Sequence, residues 1–344
     1  MIDVLIVDDS TLARDLISNI LESDSTINII GRAKNGKEAI EFVNKQRPHV
    51  IAMDINMPVL DGTETTKIIM ERHHVPTLIL STYWNKNDVL ASFRALKAGA
   101  ISIVEKPVGL NSPRFGEISD NLIRAIKSIA NVKIMQRALR TGFDASNNLE
   151  EVSQSKNGVK IIGIGAPAGG MVIIEKILSS LKKGFSLPIV VVQHITPGFI
   201  EGFVDWLNQT SQIPVKIAED REKLQKAICY LAPDFHHLAL SSEGRICLFD
   251  DAPVSGIRPS ITYLFESLAE SYKQESVAIL LSGIGNEGVA ELNKLADAGA
   301  VTIAHDKDGS FIFEMPGIEQ ISTDKTFVYS SDEIINFLNG ITNL

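Results

Sequence analysis

Five short runs, apolar or mostly apolar, at residues 4–7, 27–30, 50–53, 76–80 and 101–104, recur through the first 110 residues with amphipathic helical stretches between them. Apolar runs of strand length separated by helix-period segments specify a parallel sheet covered by helices on both faces. Residues 11–21 and 36–45 read as the first two helices, the second stopped near Pro48. Four of the five runs lead into polar residues: Asp8-Asp9, Asp54, Ser81-Thr82 and Lys106-Pro107. The strand ends of a parallel sheet converge on one edge, where open α/β sheets place their sites. The pattern predicts a flavodoxin-like, doubly wound fold.

The chain has 344 residues, enough for about two domains. Residues 116–131 read as a last helix of the first, with Ile118, Leu122, Ile123, Ile126 and Ile129 as its apolar positions. Residues 137–159 are rich in Ser, Asn, Lys and Glu without a sustained apolar period, which reads as a linker. Strand-like runs resume at 159–164, 189–192, 276–281 and 300–304, with a helix at 171–181, and predict a second doubly wound α/β domain. The expected organisation is a domain over 1–130, a linker over 131–158 and a domain over 159–344.

Composition narrows the function classes. Hydrophobic residues make up 44% and charged residues 22%, which excludes disorder as the main state. The net charge of −9 argues against nucleic acid as a partner. Cys229 and Cys247 are too few for a disulfide framework or a cysteine zinc site and fit a reducing compartment. The N-terminus lacks a basic-then-apolar leader, and no apolar run is long enough to insert into a bilayer, so a cytoplasmic location is expected.

Asp8, Asp9 and Asp54 form the first constellation. Three carboxylates at one sheet edge repel unless a cation holds them, and hard oxygen ligands suit Mg²⁺ together with a phosphoryl oxygen. Ser81 and Lys106 can contact that phosphoryl group, with Asp54 as nucleophile toward phosphorus. The competing reading, that each aspartate caps a helix, fits any one of them better than it fits the set. With Pro58, Asp61 and Gly62, the segments Val7-Asp8-Asp9-Ser10, Met53-Asp54-Ile55-Asn56-Met57-Pro58, Ser81-Thr82 and Lys106-Pro107 resemble the receiver domain of two-component response regulators. The resemblance implies that Asp54 accepts a phosphoryl group. It also implies that Asp8, Asp9, Asp54 and the Asn56 carbonyl hold Mg²⁺, that Ser81 is the switch hydroxyl and that Lys106 binds the phosphoryl oxygen. Ile103 departs from the family, where many members carry an aromatic switch.

The second half resembles CheB, the chemotaxis protein-glutamate methylesterase family. The likeness is carried by Ile164-Gly165-Ala166-Pro167-Ala168-Gly169-Gly170, Gln193-His194-Ile195-Thr196-Pro197, Leu231-Ala232-Pro233 with His237, Arg258-Pro259-Ser260, Leu281-Ser282-Gly283-Ile284-Gly285-Asn286-Glu287-Gly288 and Met315-Pro316. The family uses a Ser-His-Asp triad, in which a hydroxyl attacks the ester, an imidazole takes its proton and a carboxylate orients the imidazole. By the resemblance His194 is the imidazole, Glu287 stands at the carboxylate position and the Ile284 N–H serves the oxyanion. Pro167 occupies the nucleophile position and has no hydroxyl. Ala168 stands where the family has threonine. Little or no esterase activity is expected. The alternatives are an active esterase or glutamine deamidase of unusual mechanism, with Ser282 or Thr196 as candidate nucleophiles, or a phosphate sink. The implied partners are a CheA-type histidine kinase and methyl-accepting chemotaxis receptors. The family's receiver, when unphosphorylated, docks over its esterase cleft.

Other patterns point to packing. Gly163-Ile164-Gly165 with Gly169 approximates a dinucleotide loop, but no acidic residue follows the next strand to hold a ribose. His73-His74 and His236-His237 lack zinc spacing and read as loop or surface residues, and Trp84 and Trp206 as packing or interface residues. The segment Arg258-Pro259-Ser260 reads as a helix cap or a supporting element of the cleft.

Overall fold

Strands β3 (Val50–Asp54) and β4 (Thr77–Ser81) are buried at every position, the burial expected of central strands covered on both faces. With β1 (Ile2–Val7), β2 (Ile27–Ala33) and β5 (Ser102–Glu105) they form a parallel sheet of order β2-β1-β3-β4-β5. The computed structural model describes residues 1–82, 86–110, 112–130, 158–306, 320–322 and 324–341. Two units divide the chain, Met1–Ile134 and Met135–Leu344. Most of the expected linker, Trp84 and Met315-Pro316 fall outside the described residues.

Helices α1 (Thr11–Glu22), α2 (Gly36–Val43) and α3 (Gly62–Arg72) are capped by Ser10, Asn35 and Asp61, whose side chains accept N–H groups of the first turn. Asp8, Asp9 and Asp54 are therefore not the caps of these helices. Helices α4 (Lys86–Lys97) and α5 (Phe115–Ala130) complete the unit. Strand β2 runs three residues beyond its expected end because it lies at the sheet edge, where half-buried Gly31 and exposed Arg32 pair with β1 without an apolar signature.

The second unit holds a seven-stranded parallel sheet of order β14-β13-β12-β6-β7-β9-β8. Its strands are β6 (Ile161–Ala166), β7 (Ile189–Gln193), β8 (Val215–Ile217), β9 (Cys229–Leu231), β12 (Ser276–Leu280), β13 (Val301–His305) and β14 (Thr326–Tyr329). An antiparallel hairpin pairs β10 (His237–Leu240) with β11 (Ile246–Phe249). Helices α6 (Met171–Ser179), α7 (Ile200–Leu207), α8 (Ile261–Ser271), α9 (Val289–Asp297) and α10 (Ser331–Ile341) connect or flank the strands. The chain runs outward from β6 through β7 on one side and from β12 through β13 and β14 on the other. The crevice outside the ends of β6 and β12 is the switch point where such sheets bind ligands.

Helix α8 packs across β6 through Ile261, Leu264, Phe265 and Leu268, all fully buried. Burying each of these side chains contributes about 1.5–3 kcal/mol. A Cβ on Gly163 would lie 2.4 Å from Leu268, and one on Gly165 would lie 2.5 Å from Ile261. These glycines admit the helix to the sheet, which accounts for the dinucleotide-like spacing without a cofactor. Among the described residues no helix is long and apolar enough to cross a membrane.

Candidate functional site

In the first unit, β1, β3, β4 and β5 deliver their polar residues to one edge. Asp8, Asp9 and Asp54 offer carboxylate oxygens within 4.8 Å of one another. Lys106 Nζ lies 2.7 Å from Asp8 Oδ2 and 3.0 Å from Asp54 Oδ1. One ammonium against three carboxylates leaves the cluster net negative. Burial raises the Asp54 carboxyl to about 6; Lys106 pulls it down, and the charge of Asp8 pushes it up. Burial alone would lower Lys106, but Asp54 and Asp8 hold its ammonium above the ordinary value.

Ser81 is buried and its Oγ has no hydrogen-bond partner among the described residues. An orphaned hydroxyl beside a carboxylate can donate to an oxygen that enters the cavity. A cavity of about 220 Å³ opens there, lined by Asp9, Asp54, Asn56, Ser81, Thr82 and Lys106 among others. The donor set fits Mg²⁺, because hard carboxylate oxygens face a cavity with room for waters and a phosphoryl group. Asp88, absent from the expected set, takes the Asn56 amide and the Thr82 hydroxyl, each at 2.7 Å. It lies in the first turn of α4, where an acidic residue is ordinary and carries no distinguishing signal. Ile103 is buried within β5.

In the second unit, the turn after β6 carries Pro167, the end of β7 carries His194, and the loop after β12 carries Glu287. The His194 N–H donates to the Ala166 carbonyl at 2.8 Å, pinning the histidine beside the turn. His194 Nε2 lies 2.8 Å from Glu287 Oε2, both side chains nearly buried. Burial pushes the Glu287 carboxyl up, but His194, the Ser260 hydroxyl and the Ile261 N–H outweigh it and hold the group below its ordinary value. The structure thus brings the imidazole and the carboxylate together with one methylene more than an aspartate has.

The remaining positions are arranged differently. Pro167 offers only its carbonyl, which accepts from the Gly170 N–H at 3.0 Å and the Gln193 amide at 3.1 Å. The Ile284 N–H, expected to serve an oxyanion, donates to the Ala168 carbonyl at 3.0 Å. The two loops meet so closely that a Cβ on Gly283 would lie 2.6 Å from Ala168 O and 2.9 Å from Pro167 Cβ. The surface reading of His237 is corrected, since this residue is fully buried at the start of β10. Trp206 is buried and stacks on Phe203 at 5.8 Å.

Ser282 has a histidine of its own. Its Oγ lies 2.7 Å from His305 Nδ1, and His305 Nε2 lies 2.9 Å from Ser331 Oγ. Burial, with help from Lys176, lowers His305 to about 4. A useful general base titrates near the operating pH and needs a carboxylate to balance the imidazolium; His305 has neither. The trio ties β12, β13 and α10 together and does not supply a nucleophile. It does predict a pH effect. The unfolded imidazole binds its proton near 6.5 and the folded one at about 4, so stability present above pH 6.5 is lost as pH falls toward 4. The loss is at most about 3 kcal/mol. Urea denaturation of His305→Gln should show a shallower decline over that interval; an unchanged decline contradicts the assignment.

The CheB methylesterase family model matches residues 162–338, and the response regulator receiver domain model matches residues 4–112. The chain is 39% identical over 345 residues to a protein-glutamate methylesterase/protein-glutamine glutaminase 2 of Methanospirillum hungatei, with 99% of each chain covered. It is 39% identical over 321 residues to a protein-glutamate methylesterase/protein-glutamine glutaminase 1 of Syntrophus aciditrophicus, covering 92% of this chain and 91% of the relative. The crystal structure of the Thermotoga maritima CheB methylesterase catalytic domain is 33% identical, covers 53% of this chain and 98% of its own, and superposes with a TM-score of 0.49.

Proposed function

Because the chain belongs to the CheB methylesterase family, with a response regulator receiver domain ahead of the esterase domain, we propose that it is a phosphorylation-controlled chemotaxis regulator whose second domain binds receptor with little or no ester hydrolysis. The observation that carries this reading is the contrast between the two sites. Asp9, Asp54, Ser81 and Lys106 line one cavity, with Asp8 behind them against Lys106. The turn beside the His194–Glu287 pair carries a proline, which has no hydroxyl to attack an ester.

On this reading the Asp54 carboxylate attacks phosphorus on a CheA-type histidine kinase. The P–N bond breaks, the kinase imidazole recovers its lone pair, and an acyl phosphate forms. Lys106 and Ser81 hold the phosphoryl oxygens. Asp8, Asp9 and Asp54, with the Asn56 carbonyl, would hold Mg²⁺, which when bound neutralises charge on the transferred group. The phosphoryl group adds about −1.5 to −2 charge near neutral pH to a cluster already net negative, enough to bias a two-state element. With such a kinase and receptors as partners, the protein would work in the cytoplasm.

Receptor pull-down tests the regulator. A methylated receptor fragment should retain the wild-type chain to different extents with and without phosphorylation, while Asp54→Ala should show no phosphorylation-dependent difference. Equal retention of the wild type in both states would count against the proposal. A methanol-release assay on the same samples reports turnover separately.

A further inference from the structure

A serine immediately before a helix ordinarily turns its hydroxyl toward the first turn and accepts a backbone N–H there. Ser260 holds that position before α8, with extended backbone angles (φ −109°, ψ 133°), and makes no such bond. Its hydroxyl donates to Glu287 Oε1, 27 residues further along the chain. The Ile261 N–H, the first of the helix, also favours the ionised form of that carboxylate. A carboxylate from the loop after β12 thus stands at the start of the helix, where the N-terminal partial charge of α8 favours an anion.

Ser260 is held from behind. It is fully buried, and its N–H donates to His237 Nδ1 at 3.2 Å. An N–H can only donate, so Nδ1 carries no proton and Nε2 does. The latter donates to the Ala252 carbonyl at 3.2 Å. The His237 ring lies flat on Tyr263, with centroids 4.0 Å apart and planes 8° apart. Tautomer and orientation of His237 are therefore both set by the fold.

We propose that Ser260 is the positioning residue of the His194–Glu287 pair, with His237 fixing Ser260 and Ser260 fixing the carboxylate that faces the imidazole. The proposal deepens the reading of the second site as a CheB-type frame and rests on it. A glutamate has one more rotatable bond than an aspartate, and ordering it costs conformational entropy. The Ser260 hydroxyl holds Oε1 while Oε2 lies 2.8 Å from His194 Nε2. His194 is the titratable group facing Glu287, and Ser260 and Ile261 are its neutral donors. Ser260 touches no reacting atom; its effect passes through Glu287.

Titration of Glu287 in the full-length chain, followed by carboxyl carbon-13 NMR, tests this. The resonance is identified by its loss in Glu287→Gln. Ser260→Ala should move the midpoint upward by about one pH unit, a tenfold change in proton affinity. Ser260→Thr, which keeps the hydroxyl, should stay near the wild type. Where alanine prevents folding, Ser260→Cys offers similar shape and a weaker donor, and it too should move the midpoint upward. An unmoved midpoint in a folded Ser260→Ala or Ser260→Cys overturns the proposal, as does an equal shift in Ser260→Thr. The titration needs neither ester turnover nor phosphorylation, so its failure is distinguishable from a failure of the functional reading.

Discussion

With Pro167 replaced by serine, the chain should release methanol from a methylated receptor about 10³-fold faster than the wild type. Loss of a triad nucleophile costs on the order of 10⁶ in kcat and leaves about 10³–10⁴-fold over water from binding and the oxyanion hole. Serine can adopt proline's fixed φ. The two hydrogen bonds that hold the turn use the residue 167 carbonyl, which the substitution keeps. An imidazole and a carboxylate already lie beside the turn, with His194 and Glu287 at 2.8 Å. Full recovery is not expected, because the Ile284 N–H is bonded to the Ala168 carbonyl, and one missing oxyanion donor costs about 10²–10³. Adding Ala168→Thr and Glu287→Asp should raise the rate further. Robust turnover by the wild type, or equal rates in wild type and Pro167→Ser, would show that Pro167 is not what limits the site.

The second large effect concerns the other domain. Transfer of radiolabelled phosphate from a phosphorylated CheA-type kinase should fall to background in Asp54→Ala, and in the wild type when EDTA removes divalent cations. Asp54 is the carboxylate that the half-buried Lys106 ammonium and the Ser81 hydroxyl, unpartnered among the described residues, face across one cavity. Alanine there removes the oxygen proposed to bond phosphorus. Asp8 and Asp9 remain in that variant, so cation binding persists while transfer stops. Label retained by Asp54→Ala would place the acceptor elsewhere.

Much of the first domain was legible from local pattern. Fully buried strands read as continuous apolar runs, and the polar residue ending each run marks the site edge, as at Val50–Asp54. The edge strand β2 lost its last three residues to Gly31 and Arg32, because edge positions tolerate polarity. In the second domain β8, β9 and β14, three or four residues each, are too short for any period to show. Asp88 was illegible for a different reason, since an acidic residue in a first helical turn looks the same whether or not it holds Asn56 and Thr82.

The amino-acid sequence by itself determined the alternating architecture, the gathering of Asp8, Asp9, Asp54, Ser81 and Lys106 at strand ends, and the absence of a hydroxyl at Pro167. Those properties follow from side-chain period and covalent identity, which are local. Only the tertiary structure decided which groups became partners. It gave Ser282 to a buried neutral histidine, spent the Ile284 N–H on Ala168, sank His237 beneath Tyr263 and turned Ser260 from its own helix toward Glu287. Such pairings depend on strand order and on the packing of one helix against a distant loop, and residues 27 apart carry no local signal of the hydrogen bond they will share.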